Sequence, residues 1–317
     1  EKMLFKKIKV TPKGIYVLDP DLRKKIDKLN LSPSMIGNWL QSPADFILGK
    51  FIEPEVQIED TPHLKRGTWF HSTMEAFFGL PQEERTKENL LKVSKEVTMT
   101  DEYRDFAKET DNQEWYKNAL KSYISAWLDN AKSEKIANLF VMGKSRKGLE
   151  LFVKGNLGNA DRTCLGFIDK IVEGDNGLKV QDWKTGKKIT NYNPNMKIST
   201  NNPFDYWRQQ TFYAMLLEQL GATVEEASLL FPCAETPTIV LVDHSNPDVR
   251  AQVIKDVEQV DKELKEAIDN NYFFEFKKGP YNSWSSYLAG LGSARKPNIR
   301  EDKFAMMADL SEVGGKA

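Results

Sequence analysis

The stretch GFIDKIVEGDNGLKVQDWKTG, Gly166 to Gly186, sets Asp169, Asp182 and Lys184 into otherwise apolar sequence with the two-residue period of β-strands. The segment EGDNGL joins the two strands. If Asp175–Asn176 forms a two-residue turn, or Gly174–Gly177 a four-residue one, Asp169 lies opposite Asp182. If the turn is Asn176–Gly177, the favoured hairpin dipeptide, Asp169 faces Lys184 instead. Either register puts all three side chains on one sheet face, because side chains alternate along a strand. Directly opposed residues there have Cβ atoms roughly 4.5–5.5 Å apart. An Asp169–Lys184 ion pair on a solvated face contributes at most about 1 kcal/mol and leaves Asp182 as a like-charged neighbour. A divalent cation engages both carboxylates, since hard cations take oxygen ligands and offset their repulsion. Phe167, Ile168, Ile171, Leu178 and Val180 imply a largely buried sheet, which suits the cation better than the ion pair. Trp183, between Asp182 and Lys184, offers its main-chain carbonyl as a further oxygen ligand while its ring packs on the opposite face. His71, in RGTWFHSTMEAFF, is a lone helical histidine, a type usually satisfied locally, and Glu75, one turn on, shares its face as a helix partner.

The elements that must position these groups follow from periodicity. In LSPSMIGNWLQSPADFILGKF, Ser32 or Ser34 caps a helix with Met35, Ile36, Trp39 and Leu40 on its apolar side. A second helix begins near Ser42–Pro43 and carries Phe46, Ile47 and Phe51. KRGTWFHSTMEAFFGL reads as a helix with a wide apolar face of Trp69, Phe70, Met74, Phe77 and Phe78. Residues 81–135 are charged and helical in pattern, a helical insertion or lobe. From Leu149 the period changes to two, giving strands in ELFVKGNLG, CLGFIDKIVE and LKVQDWK. A polar loop, GKKITNYNPNMKISTNNP, leads into the helix DYWRQQTFYAMLLEQLG, which ends at Gly221. Two strands, EEASLLFPC and TPTIVLVDH, and a long amphipathic helix from Pro247 follow. This order predicts one α/β domain over residues 31–290 with a helical lobe. Residues 1–30 read as a peripheral segment and 291–317 as a weakly ordered tail.

The chain has 317 residues, a net charge of −1, 40% hydrophobic and 29% charged residues. That is the composition of a soluble globular protein without a global basic signature. It counts mildly against a protein that coats DNA and leaves room for a locally basic groove. Two cysteines, Cys164 and Cys233, are too few for a disulfide framework or a four-thiolate metal site. They point to a reducing, cytoplasmic or other intracellular compartment. No apolar run is long enough to span a membrane, and the start lacks the apolar core of a signal peptide.

In its histidine, two aspartates, main-chain carbonyl and lysine, the chain resembles the PD-(D/E)xK nuclease superfamily, and within it the RecB-type branch. LSPSMIGNWLQSPADF is similar to the branch's amino-terminal helical motif, and GTWFH to its histidine motif. GFIDKI and VQDWKTG are similar to its acid and lysine motifs, and QQTFYAMLL to the Q-x-x-x-Y helix that follows. The resemblance implies a restriction-endonuclease-like fold, a central mixed sheet flanked by helices. It implies His71, Asp169, Asp182 and the Trp183 carbonyl as ligands of Mg²⁺ or Mn²⁺, with Lys184 as the catalytic lysine. Gln209 and Tyr213, four apart on one helical face, would border the site and touch nucleic acid or the attacking water. Glu150, in LELFVKG, matches an acid often found ahead of the strands.

One departure concerns iron–sulfur clusters, which some relatives bind through flanking cysteines. Ser42 stands where the first cysteine is expected, and GPYNSWSSYLAGLG has none, so no cluster is expected. In that respect the chain is more similar to small phage exonucleases or the mitochondrial genome-maintenance exonuclease, and a phage-encoded origin fits. The activity implied is a metal-dependent DNA exonuclease acting on single-stranded DNA or DNA ends in recombination, repair or replication. The rival is a catalytically silent DNA-binding protein on the same fold. Lys187, Lys188, Lys197 and Arg208 flank the expected site and are candidates to follow a phosphate backbone. Trp115, Tyr116, Tyr123 and Trp127 of the lobe are read as core, with base stacking as the alternative. The Asn-rich loop from Asn191 to Asn202 is a candidate lid or strand guide.

Overall fold

A computed structural model describes residues 5–58, 62–187, 206–292 and 295–314. Along the chain come β1 (Ile8–Val10), β2 (Gly14–Val17), α1 (Pro20–Asp27), α2 (Pro33–Gln41) and α3 (Pro43–Ile47). A π-helical turn, Leu48–Ile52, leads into α4 (Glu53–Val56). Then follow α5 (Pro62–Phe78), α6 (Lys87–Thr98) and α7 (Thr110–Trp127). The strands β3 (Asn138–Val141), β4 (Lys144–Lys147), β5 (Leu149–Gly155), β6 (Cys164–Glu173) and β7 (Leu178–Trp183) lead to α8 (Tyr206–Gln219). The chain finishes with β8 (Val224–Phe231), β9 (Thr238–Val242), α9 (Pro247–Asp269), β10 (Phe273–Glu275), α10 (Ser283–Ala289), α11 (Glu301–Met307) and β11 (Ala308–Asp309).

The central sheet has the order β5-β6-β7-β8-β9 and is antiparallel except between β7 and β8. That parallel pair needs a crossover, and the segment carrying α8 supplies it. On one face Leu151, Val153, Ile168, Ile171 and Val180 pack with Phe212 and Leu216 of α8 and Val253 and Val257 of α9. The other face meets α5, whose Trp69, Phe70, Met74, Phe77 and Phe78 join Leu90 of α6, Leu120 and Tyr123 of α7, and Trp183 in a second core. Ser32 caps α2 by accepting from the Met35 amide, and Ser42 caps α3 by accepting from Asp45.

Two expectations need correction. The segment read as peripheral over 1–30 is not so in its described part, 5–30: β1 and β2 form a second sheet of order β10-β2-β1-β11, and Ile8, Val10, Ile15 and Val17 are fully buried in the main core. Residues 291–317 are not a weakly ordered tail as a whole, because α11 and β11 lie within them and β11 pairs in parallel with β1. Strands of two to four residues carry too little periodic signal to be read in isolation. Their burial comes from partners far away in sequence.

Burial pushes the Cys164 thiol up to about 11 and the Cys233 thiol up to about 12. Nucleophilicity belongs to the thiolate, so both are poor nucleophiles in the fold. At pH 8 both thiols should react with iodoacetamide roughly a hundredfold more slowly than free cysteine. In denaturant both should react at the ordinary rate, which mass spectrometry of the labelled peptides would count.

Candidate metal and phosphodiester site

The β6–β7 turn uses four residues, Gly174–Gly177, with Glu173 paired to Leu178 and the Gly174 amide donating to the Gly177 carbonyl at 2.7 Å. Gly177 has φ +153°, and a Cβ there would meet the Thr223 carbonyl at 2.7 Å, so no larger residue closes this turn unstrained. This register is the one that sets Asp169 opposite Asp182. The regular ladder stops at Lys170–Gln181. Beyond it the Trp183 amide donates to Asp169 Oδ2 at 2.9 Å, so a carboxylate stands where a strand carbonyl would be.

The alternation of β5 and β6 breaks at the same level. Ile168 and Ile171, three residues apart, share the main core, whereas Leu149 and Leu151, two apart, belong to different cores. Glu150, opposite Asp169, has a left-handed backbone with φ +45°. For a non-glycine residue that conformation carries a strain cost, and it marks the point where the sheet turns its acids outward.

His71, Glu150 and Asp169 meet there, with one donor atom from each lying within 4.8 Å of the others. His71 Nδ1 is 3.4 Å from Asp169 Oδ2. Glu75 extends the cluster from the next turn of α5, its carboxyl raised by burial and by the charges of Glu150 and Asp169. Burial and the neighbouring Asp169 push Glu150 up to about 7. Asp169 is itself raised, by burial first and then by the charge of Asp182. Burial works against the His71 imidazolium, but the hydrogen bond and charge of Asp169 outweigh it and raise its pKa. Crowded carboxylates whose pKa values are raised, beside an imidazole nitrogen, make a mixed oxygen and nitrogen donor set that fits a divalent cation such as Mg²⁺ or Mn²⁺. Glu150 belongs to this triangle. Asp182 lies beside it, turned to Lys184.

Lys184 Nζ is 2.7 Å from Asp182 Oδ2 and donates to Gln209 Oε1 at 3.3 Å. Its ammonium lies 4.0 Å from the centre of the Tyr206 ring. Burial opposes both charges, yet the pair holds Asp182 below the ordinary carboxylate range and Lys184 above the ordinary amine range. Gln209 Nε2 donates to Gln210 Oε1 at 3.2 Å, and the fully buried Gln210 donates to the carbonyls of Val180 and Ser228. The lysine is thus tied through α8 to both central strands. Tyr206 and Gln210 were not singled out from the sequence. Stepping back one turn from Gln209 and Tyr213 along the same helical face would have found Tyr206.

Tyr213 is buried, with its ring against Gly166: a Cβ there would lie 2.5 Å from the Tyr213 ring. It therefore shapes β6 just ahead of Asp169. Lys187 is exposed next to the site, while Lys188, Lys197 and the loop from Asn191 to Asn202 lie outside the described residues. The lobe aromatics are core. Tyr116 stacks on Trp69 at 3.7 Å, and Tyr123 and Trp127 edge the Trp183 ring. Phe167, expected inside, is 54% exposed. Arg208 also corrects an expectation: its guanidinium is 2% exposed and pairs with the fully buried Asp256 at 2.9 Å, so it fastens α8 to α9 and does not face a phosphate backbone. Removing one partner of such a pair strands the other charge. Asp256→Ala should cost about 3–5 kcal/mol in urea unfolding, whereas Arg208→Met with Asp256→Leu should be close to neutral.

A family profile described as the PD-(D/E)XK nuclease superfamily matches residues 30–283. No curated protein matches the chain significantly. Among solved structures, a crystal structure described as a "Putative exonuclease" from Eubacterium rectale is similar at 12% identity and a TM-score of 0.48, over 82% of this chain and 89% of that one. The profile spans both the histidine helix and the acid-bearing hairpin, most of the chain. The chain belongs to the PD-(D/E)XK nuclease superfamily and has its restriction-endonuclease-like α/β fold.

Proposed function

We propose that this chain is a metal-dependent deoxyribonuclease, an exonuclease acting on single-stranded DNA or DNA ends in recombination, repair or replication. The observation that carries the reading is the meeting of His71, Glu150 and Asp169 beside the Asp182–Lys184 pair. His71, Glu150 and Asp169, with Asp182 and the Trp183 carbonyl alongside, would hold the cation. When bound, Mg²⁺ or Mn²⁺ activates water at neutral pH and offsets charge on the phosphodiester. Lys184, held by Asp182 and Gln209, would orient the attacking water or a phosphate oxygen. Lys187, exposed just past the lysine motif, would meet the phosphate backbone. Gln209 borders the site through Lys184, and Tyr213 holds the strand that presents Asp169. Exonuclease action on single strands or ends, and the pathways named, rest on the likeness of the motifs to the RecB-type branch. Intact acids and lysine disfavour a silent DNA-binding protein.

Calorimetric titration with Mn²⁺ tests the donor set without turnover. Glu150→Gln and His71→Ala should each weaken binding about tenfold or more, and Mn²⁺ should bind at least as tightly as Mg²⁺. Unchanged affinity in both variants would remove them from the ligand set. End-labelled single- and double-stranded DNA, linear and circular, tests the activity with either metal. Linear DNA should be degraded and circular DNA spared, with Lys184→Ala and Asp182→Ala slower by about a hundredfold or more. No cleavage of any form by the wild type, with metal bound, would overturn the enzyme reading.

A further inference from the structure

Among the described residues, one aromatic pair next to the acids is only partly covered: Phe167 is exposed and Phe152 half-buried. Phe152 and Phe167 are paired across β5 and β6, with ring centroids 5.3 Å apart and planes tilted by 54°. Each is two residues from a member of the acid cluster: Phe167 precedes Asp169, and Phe152 follows Glu150. Two residues of chain span at most about 6.6–6.8 Å, so the rings begin within that reach of the candidate metal ligands. Their neighbours Leu151 and Ile168 point into the core under α8, so the two rings point to the opposite face, the one that α5 approaches with His71 and Glu75. Further out on this side, Lys154 is exposed and pairs with Leu165. The order along the face is carboxylates, then aromatic rings, then a lysine.

Resting on the reading above, we propose that Phe152 and Phe167 form a stacking platform for the nucleobase next to the scissile phosphodiester. Every base offers a π-face, so one exposed ring grips a single strand without reading its sequence. The patch is one residue pair wide, the scale of a base and far below the area a stable protein partner covers. A base inside a duplex is already stacked on its neighbours and has no face to give, so the platform favours a single strand. Lys154, about 13 Å along the strand from Glu150, would meet a phosphate of the same chain. Phe167 carries the contact. Phe152 supports it from below.

The test separates this platform from the nuclease reading by measuring binding in a Lys184→Ala background. Fluorescence anisotropy would compare an oligothymidylate with a deoxyribose-phosphate chain of equal length that carries no bases. Phe167→Ala should bind oligothymidylate about tenfold more weakly, and Phe167→Trp within about twofold of the background protein. Both variants should bind the base-free chain as the background protein does. A Phe167→Ala protein that keeps full affinity for oligothymidylate overturns the platform. So does one that loses equal affinity for both chains, since the ring would then act through the backbone contact or the fold. If the background protein binds neither chain, the nucleic-acid reading itself falls, and the platform falls with it. More than half of the Phe167 side is exposed, so the variants should keep the unfolding midpoint of the parent, which circular dichroism would verify.

Discussion

Like charge gathered at the open end of a hairpin is the constraint around which this protein is organised. Glu75, Glu150, Asp169 and Asp182 converge where the β6–β7 ladder stops. Two like charges about 4 Å apart repel by about 4 kcal/mol at an effective dielectric of about 20. A charge-assisted hydrogen bond returns about 1.5–3 kcal/mol. The Trp183 amide on Asp169 and the Lys184 ammonium on Asp182 therefore offset part of the repulsion and not all of it. The remainder shows as the raised pKa of Glu150 and Asp169 and of the His71 imidazole beside them. A site with this imbalance gains more from a divalent cation than from any further side chain.

Such a cluster persists only if the strands beneath it cannot relax apart, and the two cores supply that rigidity. Trp183 is the clearest joint. Its amide serves Asp169, while its ring sits among Phe70, Phe78, Tyr123 and Trp127 of the helical lobe. Lys170, next to Asp169, is buried beneath the same lobe, bonded to Glu134 and lying over the Phe78 ring. From the other face Gln210 spans the carbonyls of β7 and β8, and Arg208 locks α8 to α9. Lobe and crossover helix thus grip consecutive residues of the two acid-bearing strands from opposite sides.

The sequence made the hairpin legible because glycine placement and alternation are local properties. It narrowed the register to two, and the Gly174–Gly177 connection decides between them. It could not show Glu150 joining the candidate donor triangle ahead of Asp182, since that depends on a backbone kink at a single residue. Arg208 was misread because a cation beside a motif looks alike whether it meets a phosphate or a buried carboxylate; Asp256, which decides the matter, is 48 residues away. Phe167 was misread for the opposite reason. A strand with apolar residues on both faces predicts burial on both, and here one face is left open beside the acids.

The closure of the chain's two ends was the least legible feature, and it bears on the position where a cysteine was expected. Ser42 is fully buried and donates to Asp45 Oδ2 at 2.6 Å. Asp45 also accepts from the amides of Trp284 and Ser285 and from the Ser285 hydroxyl, which lies 3.2 Å from Ser42 Oγ. One carboxylate at the start of α3 thereby holds the amino end of α10, a short helix with no other side-chain cap. Bonds to an ionised acceptor are roughly twice as strong as neutral ones, so Asp45 is the dominant member of this clasp. A thiolate cluster would join the same two segments covalently and make their closure sensitive to metal supply and redox state. Here hydroxyl and carboxylate oxygens join them through hydrogen bonds.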